Sequence, residues 1–279
     1  MNEEPTPEPI GLAATPPAAA PVAGPAAPSA EDTFEECLPY RIVRPQRVRF
    51  EESTANETMR TAVLLSWAAD LAWQHSAFIG FDREWYSSRG LFWLVRAIRL
   101  DVLAPIRTYE TAYVSTQVVG YRRIAARRHT EVRDADRQLL AIIDIDWVMT
   151  NERGIPTRIP DEMLDFVRDD ATFELLRVVL PEAPIDASTT RLTVRRRDLD
   201  PLAHVNNSVY LDYLEETLVG AGQAELLTAM PRRYEVDFLA AAEFGDTVTG
   251  AAWPHEDGWA FRLRREDGVE MFRGRVAAR

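Results

Sequence analysis

The pattern of apolar and polar residues predicts that the first half of the chain begins with one strand and one buried helix. Residues 40–52 follow an extended pattern, and residues 61–73 include only three polar side chains. A helix that is apolar almost all round has to be enclosed by other elements. We predict that this helix is capped by Thr54 and Asn56, with Glu57 in its first turn.

Four strands are predicted to follow, because apolar and polar positions alternate between turn-forming segments. We place them at residues 91–102, 108–118, 122–133 and 138–150. The run that ends at Gly90 holds Trp85 and Tyr86 among polar residues and is predicted to be a loop. The first half is therefore expected to contain a strand, an enclosed helix and four further strands.

The second half repeats this order. A strand near residues 192–197 precedes a helix that starts at about Ser208, and strands follow it. Leucines and acidic residues lie on opposite faces of this helix, namely Leu211, Leu214 and Leu218 against Asp212, Glu215 and Glu216. The helix should therefore bury one face and expose the other. Asp-Gly pairs at residues 257–258 and 267–268 predict two tight hairpin turns.

A short internal repeat supports two equivalent halves. Residues 100–111, LDVLAPIRTYET, align without gaps on residues 236–247, VDFLAAAEFGDT, and four of the twelve positions are identical. Both segments fall at the same place in the predicted order of elements. We interpret them as the same strand and turn in two tandem units.

The predicted organisation has four parts. Residues 1–38 are rich in proline and alanine and are expected to be a disordered tail. Residues 39–154 form the N-terminal unit, and residues 186–279 form the C-terminal unit. Residues 155–185, bracketed by prolines, are predicted to be a linker that is helical in its middle.

Composition excludes several classes of protein. The formal charge of −12 and the pI near 4.9 argue against general nucleic-acid binding. No apolar run reaches the length of a membrane span, and the start Met-Asn-Glu-Glu is acidic where a signal peptide is basic. We therefore expect a soluble protein that is not exported and that lies in the cytoplasm.

The rarest residue types limit the chemistry further. The sequence has no lysine, which excludes Schiff-base chemistry, and its single cysteine, Cys37, excludes an internal disulfide. His75, His129 and His255 have no acidic or cysteine neighbours at ligand spacing, so they are predicted to be packing or surface residues. We expect neither a metal nor a cofactor.

The chemistry is concentrated in residues 195–216, RRRDLDPLAHVNNSVYLDYLEE. Asp200 and His204 lie four residues apart, just before the predicted helix, and Asn207 or Ser208 is a natural N-cap. The free amides of a helix N-terminus favour a developing negative charge. A carboxylate, an imidazole and an oxyanion site are therefore expected together. Taken singly, Asp198 and Asp200 are also typical of a turn before a helix.

The run DLDPLAHVNNSVYLDYLEE resembles the active-site segment of acyl-acyl-carrier-protein thioesterases and related hotdog-fold thioesterases. The resemblance implies an α+β tandem hotdog, in which each curved antiparallel sheet surrounds one helix. It also implies hydrolysis of acyl thioesters of acyl carrier protein or coenzyme A, with catalysis in the C-terminal unit and most of the acyl pocket in the N-terminal unit. Residues 49–59, the N-terminal equivalent of the motif, lack the Asp and His pair.

The sequence of the predicted site differs from the plant-type pattern in two ways. That pattern has an asparagine between the aspartate and the histidine, where this chain has Leu202. It also draws a glutamate and a cysteine from a nearby strand, where this chain has Ala241 and Ala242. Glu243 lies one or two residues away, and a shifted register would restore a carboxylate.

We assign expected roles to the site residues. Asp200 activates water or attacks the thioester, His204 assists, and the amides near Asn207 hold the oxyanion. Tryptophans around the first helix and the next strand are candidates for the acyl pocket or for core packing: Trp67, Trp73, Trp85 and Trp93.

Arginine runs are candidates for binding an acidic carrier or phosphates. Arg197 belongs to the run that leads into Asp200 and is assigned to substrate binding. The runs at residues 122–123 and 127–128 are predicted to be solvated strand faces.

Two alternatives remain open. A hotdog dehydratase or hydratase would use a histidine with a carboxylate for proton transfer on a hydroxyacyl or enoyl thioester. A catalytically silent acyl-binding or carrier-docking protein is suggested by Leu202, Ala241 and Ala242. Association of two chains into a homodimer is left open as well.

Overall fold

The protein is represented by a computed structural model that describes residues 35–166 and 173–279, so most of the predicted tail lies outside it. The strands of its first part are β1 (Glu36–Leu38), β2 (Arg41–Arg47), β3 (Leu91–Val102), β4 (Thr111–Arg122), β5 (Ala125–Arg133) and β6 (Leu139–Asn151). The helices are α1 (Thr61–Phe78) and α2 (Arg83–Arg89). All four strands predicted after the helix are present, within a few residues of their expected positions.

The second part repeats the arrangement with fewer residues. Its elements are β7 (Ser188–Thr193), α3 (Asn207–Gly220), β8 (Arg232–Phe238), β9 (Thr247–His255), β10 (Gly258–Arg265) and β11 (Glu270–Ala278). The two turns predicted at the Asp-Gly pairs lie between β9 and β10 and between β10 and β11, as expected.

The strands described here form one antiparallel sheet, in the order β1-β2-β4-β5-β6-β3-β8-β11-β10-β9-β7. The order in one half mirrors the order in the other around the β3–β8 pair. Helix α1 packs against β2, β4 and β6, and α3 packs against β7, β9 and β10. Each half is thus a sheet packed on one helix, and the predicted α+β tandem hotdog is confirmed.

The halves join where the internal repeat was found. The first copy spans the end of β3 and the start of β4, and the second spans the end of β8 and the start of β9. Arg99 lies directly opposite Glu235, each one residue before its copy of the repeat, and the two side chains form an ion pair at 3.2 Å. Because β3 and β8 pair with each other, neither is left as an exposed edge.

The two long helices bury the faces that the sequence predicted. Leu211, Leu214 and Leu218 of α3 are fully enclosed, and α1 is buried over most of its surface. Ser66 and Asp70 lie on the open side of α1. In the parts of the chain that the structure describes, no helix combines the length and the hydropathy needed to cross a lipid bilayer.

Two predicted boundaries in the first half are wrong. Helix α1 starts at Thr61, and the supposed caps lie in a loop in which Glu57 has a positive φ of 56°. The run predicted to be a loop before Gly90 contains α2, which Asp82 caps by accepting a hydrogen bond from the Trp85 amide at 2.9 Å. Because α2 is short and mostly polar, it has too few apolar positions to show the helical period in the sequence.

The described parts of the predicted linker contain no regular α-helix, and its middle, residues 167–172, lies outside the described residues. Asp161–Phe166 forms a 3-10 turn, and residues 173–184 have no regular helix. This later stretch runs along the outer face of the sheet, where Asp146 accepts a hydrogen bond from the Leu176 amide at 2.6 Å and Asp237 accepts one from the Val178 amide at 3.2 Å. Those carboxylates satisfy the amides that a helix would otherwise have bonded internally.

Candidate active site

The segment with the predicted catalytic residues folds as a 3-10 turn, a loop and then α3. Strand β7 ends at Thr193, so the predicted strand extended too far, and Arg196–Asp198 forms the turn. Asp198 is buried, and its Oδ2 accepts hydrogen bonds from the Arg195 amide at 2.7 Å and the Tyr213 hydroxyl at 2.9 Å. Burial and this carboxylate raise the pKa of Tyr213.

Helix α3 is capped by Asn206, one residue before the predicted caps. Its Oδ1 accepts hydrogen bonds from the Ser208 amide at 3.0 Å and the Ser208 hydroxyl at 2.8 Å. Asn207 is instead the first helical residue. Its backbone amide donates no hydrogen bond within the described part of the chain. This amide lies at the positive end of the helix dipole and can face an anionic oxygen.

Asp200 closes the loop that precedes the helix. Its Oδ1 accepts hydrogen bonds from the amides of Leu202 at 2.8 Å and His204 at 3.3 Å, while Ala203 takes a positive φ of 62°. Its other carboxylate oxygen, Oδ2, accepts no hydrogen bond from a residue that the structure describes. One oxygen therefore shapes the turn, and the second is available for chemistry on a half-exposed side chain.

His204 lies opposite Glu243 in an isolated antiparallel bridge. The Val205 amide donates to the Ala242 carbonyl at 2.9 Å, which fixes the register of this bridge. Side chains that face each other in such a pair have Cβ atoms about 4.5–5.5 Å apart. The structure thus places Glu243 opposite His204 in this bridge, and both side chains are exposed. Ala241 supplies no polar group there.

Tyr210 is a residue of the site that sequence reasoning missed. It is buried on the first turn of α3, and its hydroxyl accepts a hydrogen bond from the Ala242 amide at 2.9 Å. Burial, as the leading cause, raises the pKa of Tyr210 to about 12. The hydroxyl links the helix to the segment that carries Glu243. The only sequence signal was a tyrosine three residues after the Asn-Asn pair.

A second copy of this loop occurs in the N-terminal half. The 3-10 turn Phe50–Glu52 matches Arg196–Asp198, and the positive φ of Glu57 matches that of Ala203. The bridges also match: Ser53–Met59 corresponds to Leu199–Val205, and Thr58–Arg107 corresponds to His204–Glu243. The backbone of the site is therefore built twice in one chain.

The two copies show which carboxylate is structural. In the N-terminal copy, Glu52 accepts a hydrogen bond from the Arg49 amide at 2.9 Å. Asp198 makes the same contact with Arg195 in the C-terminal copy. Because the copy without the Asp and His pair keeps this contact, we assign the buried carboxylate to the fold of the loop.

The same comparison separates the turn from the chemistry. Thr54 replaces Asp200, and its Oγ1 accepts the amide of Asn56 at 3.3 Å, as Asp200 accepts that of Leu202. The turn thus needs one short polar acceptor and no charge. Thr58 replaces His204 and bonds only to Thr54 through its hydroxyl, at 3.0 Å. A carboxylate and an imidazole are therefore particular to the C-terminal copy.

The arginine run before the site is exposed. Arg197 has a side chain that is 77% exposed and lies 3.8 Å from Asp198 Oδ1, and Arg195 and Arg196 are exposed beside it. This places three cationic side chains next to the loop that contains Asp200. Three cationic side chains in one place can attract an acidic partner over a long range.

The tryptophans predicted for the acyl pocket separate into different environments. A cavity of about 80 Å³ lies beside the second half of α1, and Trp73 and Trp93 form part of its wall. Trp67 is buried in the main core. Trp85 lies outside the wall and packs edge-on against Phe81, with ring centroids 4.8 Å apart. Most of the wall is apolar, and four of its residues follow β6, namely Ile159, Met163, Leu164 and Phe166.

One arginine run was assigned wrongly to a solvated strand face. Arg122 and Arg123 are exposed as predicted, but Arg128 is only 8% exposed and lines the cavity. Arg127 points to the opposite face of β5 and pairs with Asp146 at 2.7 Å. The prediction for residues 127–128 was wrong because adjacent residues of a strand face opposite sides of a sheet, so the two arginines cannot share one face.

The described residues contain no group of three or more His, Cys, Asp or Glu side chains placed to hold a metal ion. His129 does have acidic neighbours. Its Nδ1 lies 2.7 Å from Asp144 Oδ1, and its Nε2 lies 3.7 Å from Glu131 Oε1. The hydrogen bond to Asp144 is the main cause that raises the pKa of His129. This trio lies on the outer face of the N-terminal sheet.

Two family models match the chain. The acyl-ACP thioesterase N-terminal domain matches residues 42–167, and the acyl-ACP thioesterase C-terminal domain matches residues 182–274. A chloroplastic acyl-[acyl-carrier-protein] hydrolase of Cuphea viscosissima is 25% identical over 254 residues, which is 82% of this chain and 60% of that protein. The chloroplastic oleoyl-acyl carrier protein thioesterase 1 of Arabidopsis thaliana is 23% identical over 263 residues, 81% of this chain and 73% of that protein. The chain thus spans about three fifths of the Cuphea relative's length.

Solved structures support the same fold. An acyl-ACP thioesterase from Bacteroides thetaiotaomicron superposes with a TM-score of 0.72 at 18% identity, covering 85% of this chain and 97% of that one. The 12:0-ACP thioesterase from Umbellularia californica gives a TM-score of 0.70 at 20% identity, covering 86% and 97%. At these identities the likeness shows the fold alone.

Proposed function

Because the chain belongs to the acyl-ACP thioesterase family, we propose that it hydrolyses acyl thioesters carried on acyl carrier protein. The reaction releases a free carboxylic acid and the thiol of the carrier. We propose that it takes place in the C-terminal unit, with the N-terminal unit enclosing the acyl chain. The proposed compartment is the cytoplasm, consistent with one cysteine in the sequence.

The observation that carries this proposal is the difference between the two copies of the loop. Both copies keep the turn, the bridges and a carboxylate that accepts a hydrogen bond from the amide three residues earlier, but only the C-terminal copy has Asp200 and His204. A duplicated backbone with chemistry in one copy indicates that these residues serve something besides folding. Hydrolysis of a thioester is a reaction that such a pair can catalyse.

We assign Asp200 as the group that activates water or attacks the thioester carbonyl. Its Oδ2 is free of hydrogen bonds to described residues, whereas Oδ1 is held by two amides and fixes the orientation of the carboxylate. His204 polarises the same water or donates a proton to the leaving thiolate. A positioned acid or base contributes roughly a hundred- to ten-thousand-fold to a rate.

The amide of Asn207 is the proposed oxyanion donor. It opens α3, which is long enough for its aligned peptides to place partial positive charge at this end. Loss of one oxyanion donor typically costs about a hundred- to a thousand-fold in rate. Together with Asp200, this donor would support hydrolysis without a metal or a cofactor.

Substrate binding is assigned to two surfaces. We propose that the cavity beside α1 receives the acyl chain, with Trp93 in its wall and Trp85 supporting the wall from outside. We propose that Arg197 and its neighbours attract the acidic carrier protein to the mouth of the site. On a chain with a formal charge of −12, a cationic cluster beside the catalytic loop is a local exception.

A catalytically silent acyl-binding protein is the second candidate function. It is favoured by Leu202, Ala241 and Ala242, since each removes a side chain that the plant-type site uses. It is also favoured by the turn that occupies one oxygen of Asp200. This candidate predicts binding of acyl thioesters without release of thiol.

Release of free thiol from acyl-ACP decides between the two functions. The panel consists of chain lengths from short to long, with the same chains on coenzyme A as a second carrier. Asp200→Asn keeps an oxygen that can accept the two amides, so the turn should persist while the charge is lost. We expect turnover by the wild type and a loss of at least a hundredfold in Asp200→Asn. Thr54→Asn, at the matching position of the other copy, is the control and should retain wild-type turnover.

A further inference from the structure

Arg128 is a buried cation with no carboxylate to neutralise it among the described residues. It is 8% exposed, and its one hydrogen bond runs from NH1 to Nδ1 of His75, 3.2 Å away. Burial lowers the pKa of Arg128 to about 10, so the guanidinium stays charged at neutral pH. A buried charge is costly unless it is paired and hydrogen-bonded.

His75 does not neutralise this charge. Its Nε2 donates to the Leu38 carbonyl at 3.0 Å, which leaves Nδ1 as the acceptor for Arg128. Burial first, and then the charge of Arg128, lower the pKa of His75 to about 4. The imidazole is therefore neutral at physiological pH, and no carboxylate among the described residues pairs with the positive charge.

Two other buried arginines are held differently. Arg262 pairs with Glu182 at 2.7 Å, and Arg232 donates to the Tyr234 hydroxyl at 3.0 Å, which in turn donates to Glu215 at 2.7 Å. Each is connected to a carboxylate directly or through one hydroxyl. Arg128 differs from both, and it lies in the wall of the cavity beside α1.

The wall around Arg128 includes polar side chains among its apolar ones. Ser76, Tyr86 and Trp93 form a chain of hydrogen bonds there, with Ser76 Oγ 2.9 Å from Tyr86 Oη and Trp93 Nε1 3.0 Å from the same hydroxyl. The indole N–H of Trp147, another residue of the wall, is buried without a hydrogen-bond partner in the described structure. Most of the other residues of the wall are apolar, Met163 among them.

We propose that this side of the cavity binds an oxygen-bearing group at the far end of the acyl chain, with a terminal carboxylate as the preferred group. Arg128 would supply the charge, and a planar guanidinium is well suited to a carboxylate. The inference rests on the proposed function and names its substrate class, namely thioesters whose chains are oxidised at the end remote from the thioester.

The position of Arg128 in the sheet fits the far end of a chain. Phe238, which packs on Tyr210 beside the catalytic loop, follows Asp237 on β8. Asp237 is paired with Ala97 on β3, and Ala97 is paired with Asp146 on β6. Asp146 is paired in turn with residue 127 on β5, which directly precedes Arg128. Three strand spacings amount to roughly 14 Å. A chain that enters near Phe238 and crosses the inner face of the N-terminal sheet would end near Arg128.

The test compares acyl-ACP substrates of equal length that end in methyl, hydroxyl or carboxylate. Arg128→Met replaces the charge with an unbranched apolar chain of similar reach, and Arg123→Met removes an exposed arginine from the preceding turn as the matched control. We expect the wild type and the control to prefer the carboxylate over the methyl end by about tenfold or more in kcat/KM. Arg128→Met should reverse that preference.

Binding of a substrate analogue separates this inference from the proposed function. The probe is an S-(2-oxoalkyl) pantetheine, which cannot be hydrolysed, with either a carboxylate or a methyl end. Tighter binding of the carboxylate form that disappears in Arg128→Met supports the inference even if no thiol is ever released. Hydrolysis of all three substrates with equal kcat/KM, unchanged by Arg128→Met, would overturn the inference and leave the hydrolase intact. If Arg128→Met fails to fold, Arg128→Lys is the second variant, and it should keep the preference for the carboxylate end. Loss of this preference in Arg128→Lys, together with equal binding of both probes to the wild type, also overturns the inference.

Discussion

His204 and Glu243 face each other across a two-residue antiparallel bridge, and Thr58 and Arg107 face each other in the same way in the N-terminal copy. The pairing was not accessible to sequence alignment, which placed Ala241 and Ala242 at the positions of the plant-type glutamate and cysteine. A carboxylate therefore lies opposite His204 in the bridge, but from a position shifted along the chain. Both side chains are exposed, so their interaction is expected to be modest in energy.

Replacing Glu243 with glutamine should lower kcat several-fold while KM stays near the wild-type value. We expect the carboxylate to help orient the imidazole, because the two residues face each other in the bridge, and to have little effect on how the acyl chain is held. Arg107→Gln, the equivalent change in the N-terminal copy, should leave kcat unaltered. Steady-state kinetics on acyl-ACP measures both, and an equal effect of the two substitutions would remove Glu243 from the site.

Tyr210→Phe should destabilise the protein and lower turnover together. The substitution leaves the Ala242 amide buried without an acceptor, which costs about 1–3 kcal/mol, and it releases the segment that places Glu243. Urea denaturation gives the change in the free energy of unfolding. Tyr213→Phe provides the comparison, since it removes a hydroxyl from the structural carboxylate Asp198. It should reduce stability with less effect on the kcat of the folded enzyme.

Asp212 should make stability depend on pH in the mildly acidic range. Burial is the main cause that raises its pKa to about 6 from 3.8, and Arg60 opposes the shift. Between these values the folded state holds a proton that the unfolded state has released, so stability falls as pH rises from about 4 to 6 and then levels off. The loss is on the order of 2 kcal/mol. Thermal unfolding of Asp212→Asn should show a gain over the wild type at pH 8 and little difference at pH 4. An equal gain at both pH values would show that Asp212 does not titrate in this way.

Arg197→Glu should weaken the interaction with acyl carrier protein specifically. Reversing an exposed charge beside the mouth of the site reduces attraction of an acidic partner, mainly at low salt. We expect KM for acyl-ACP to rise several-fold at low ionic strength, with KM for the pantetheine thioester of the same acid unchanged. Arg123→Glu is the matched control. If KM rises equally for both carriers, the residue acts on the acyl end and not on the protein.

Much of the fold followed from local patterns. The apolar stretch after Thr61 and the leucine face of α3 predicted two enclosed helices, and the short repeat located equivalent strands in both halves. These features depend on periodicity and burial, which a sequence displays directly. Asp200 and His204 also lie together at the start of α3, as the spacing predicted.

The errors have a common physical cause. The loop before each helix is stabilised by long-range contacts, such as Met59 to Ile106 and Val205 to Ala242. No local pattern shows that such a segment stays extended, so the start of α1 was placed too early. The burial of Arg128 was missed for a related reason, because its partner His75 belongs to another element of the fold.

The most direct test of the central claim replaces Asp200 with the residue that the other copy uses. Thr54 shows that a threonine supports the same turn, so Asp200→Thr should fold and keep the wild-type melting temperature within a few degrees. Single-turnover release of thiol from acyl-ACP should then fall by at least about a hundredfold, since no carboxylate remains to activate water or attack. A folded Asp200→Thr enzyme with near wild-type single-turnover rates would contradict the assignment of catalysis to Asp200.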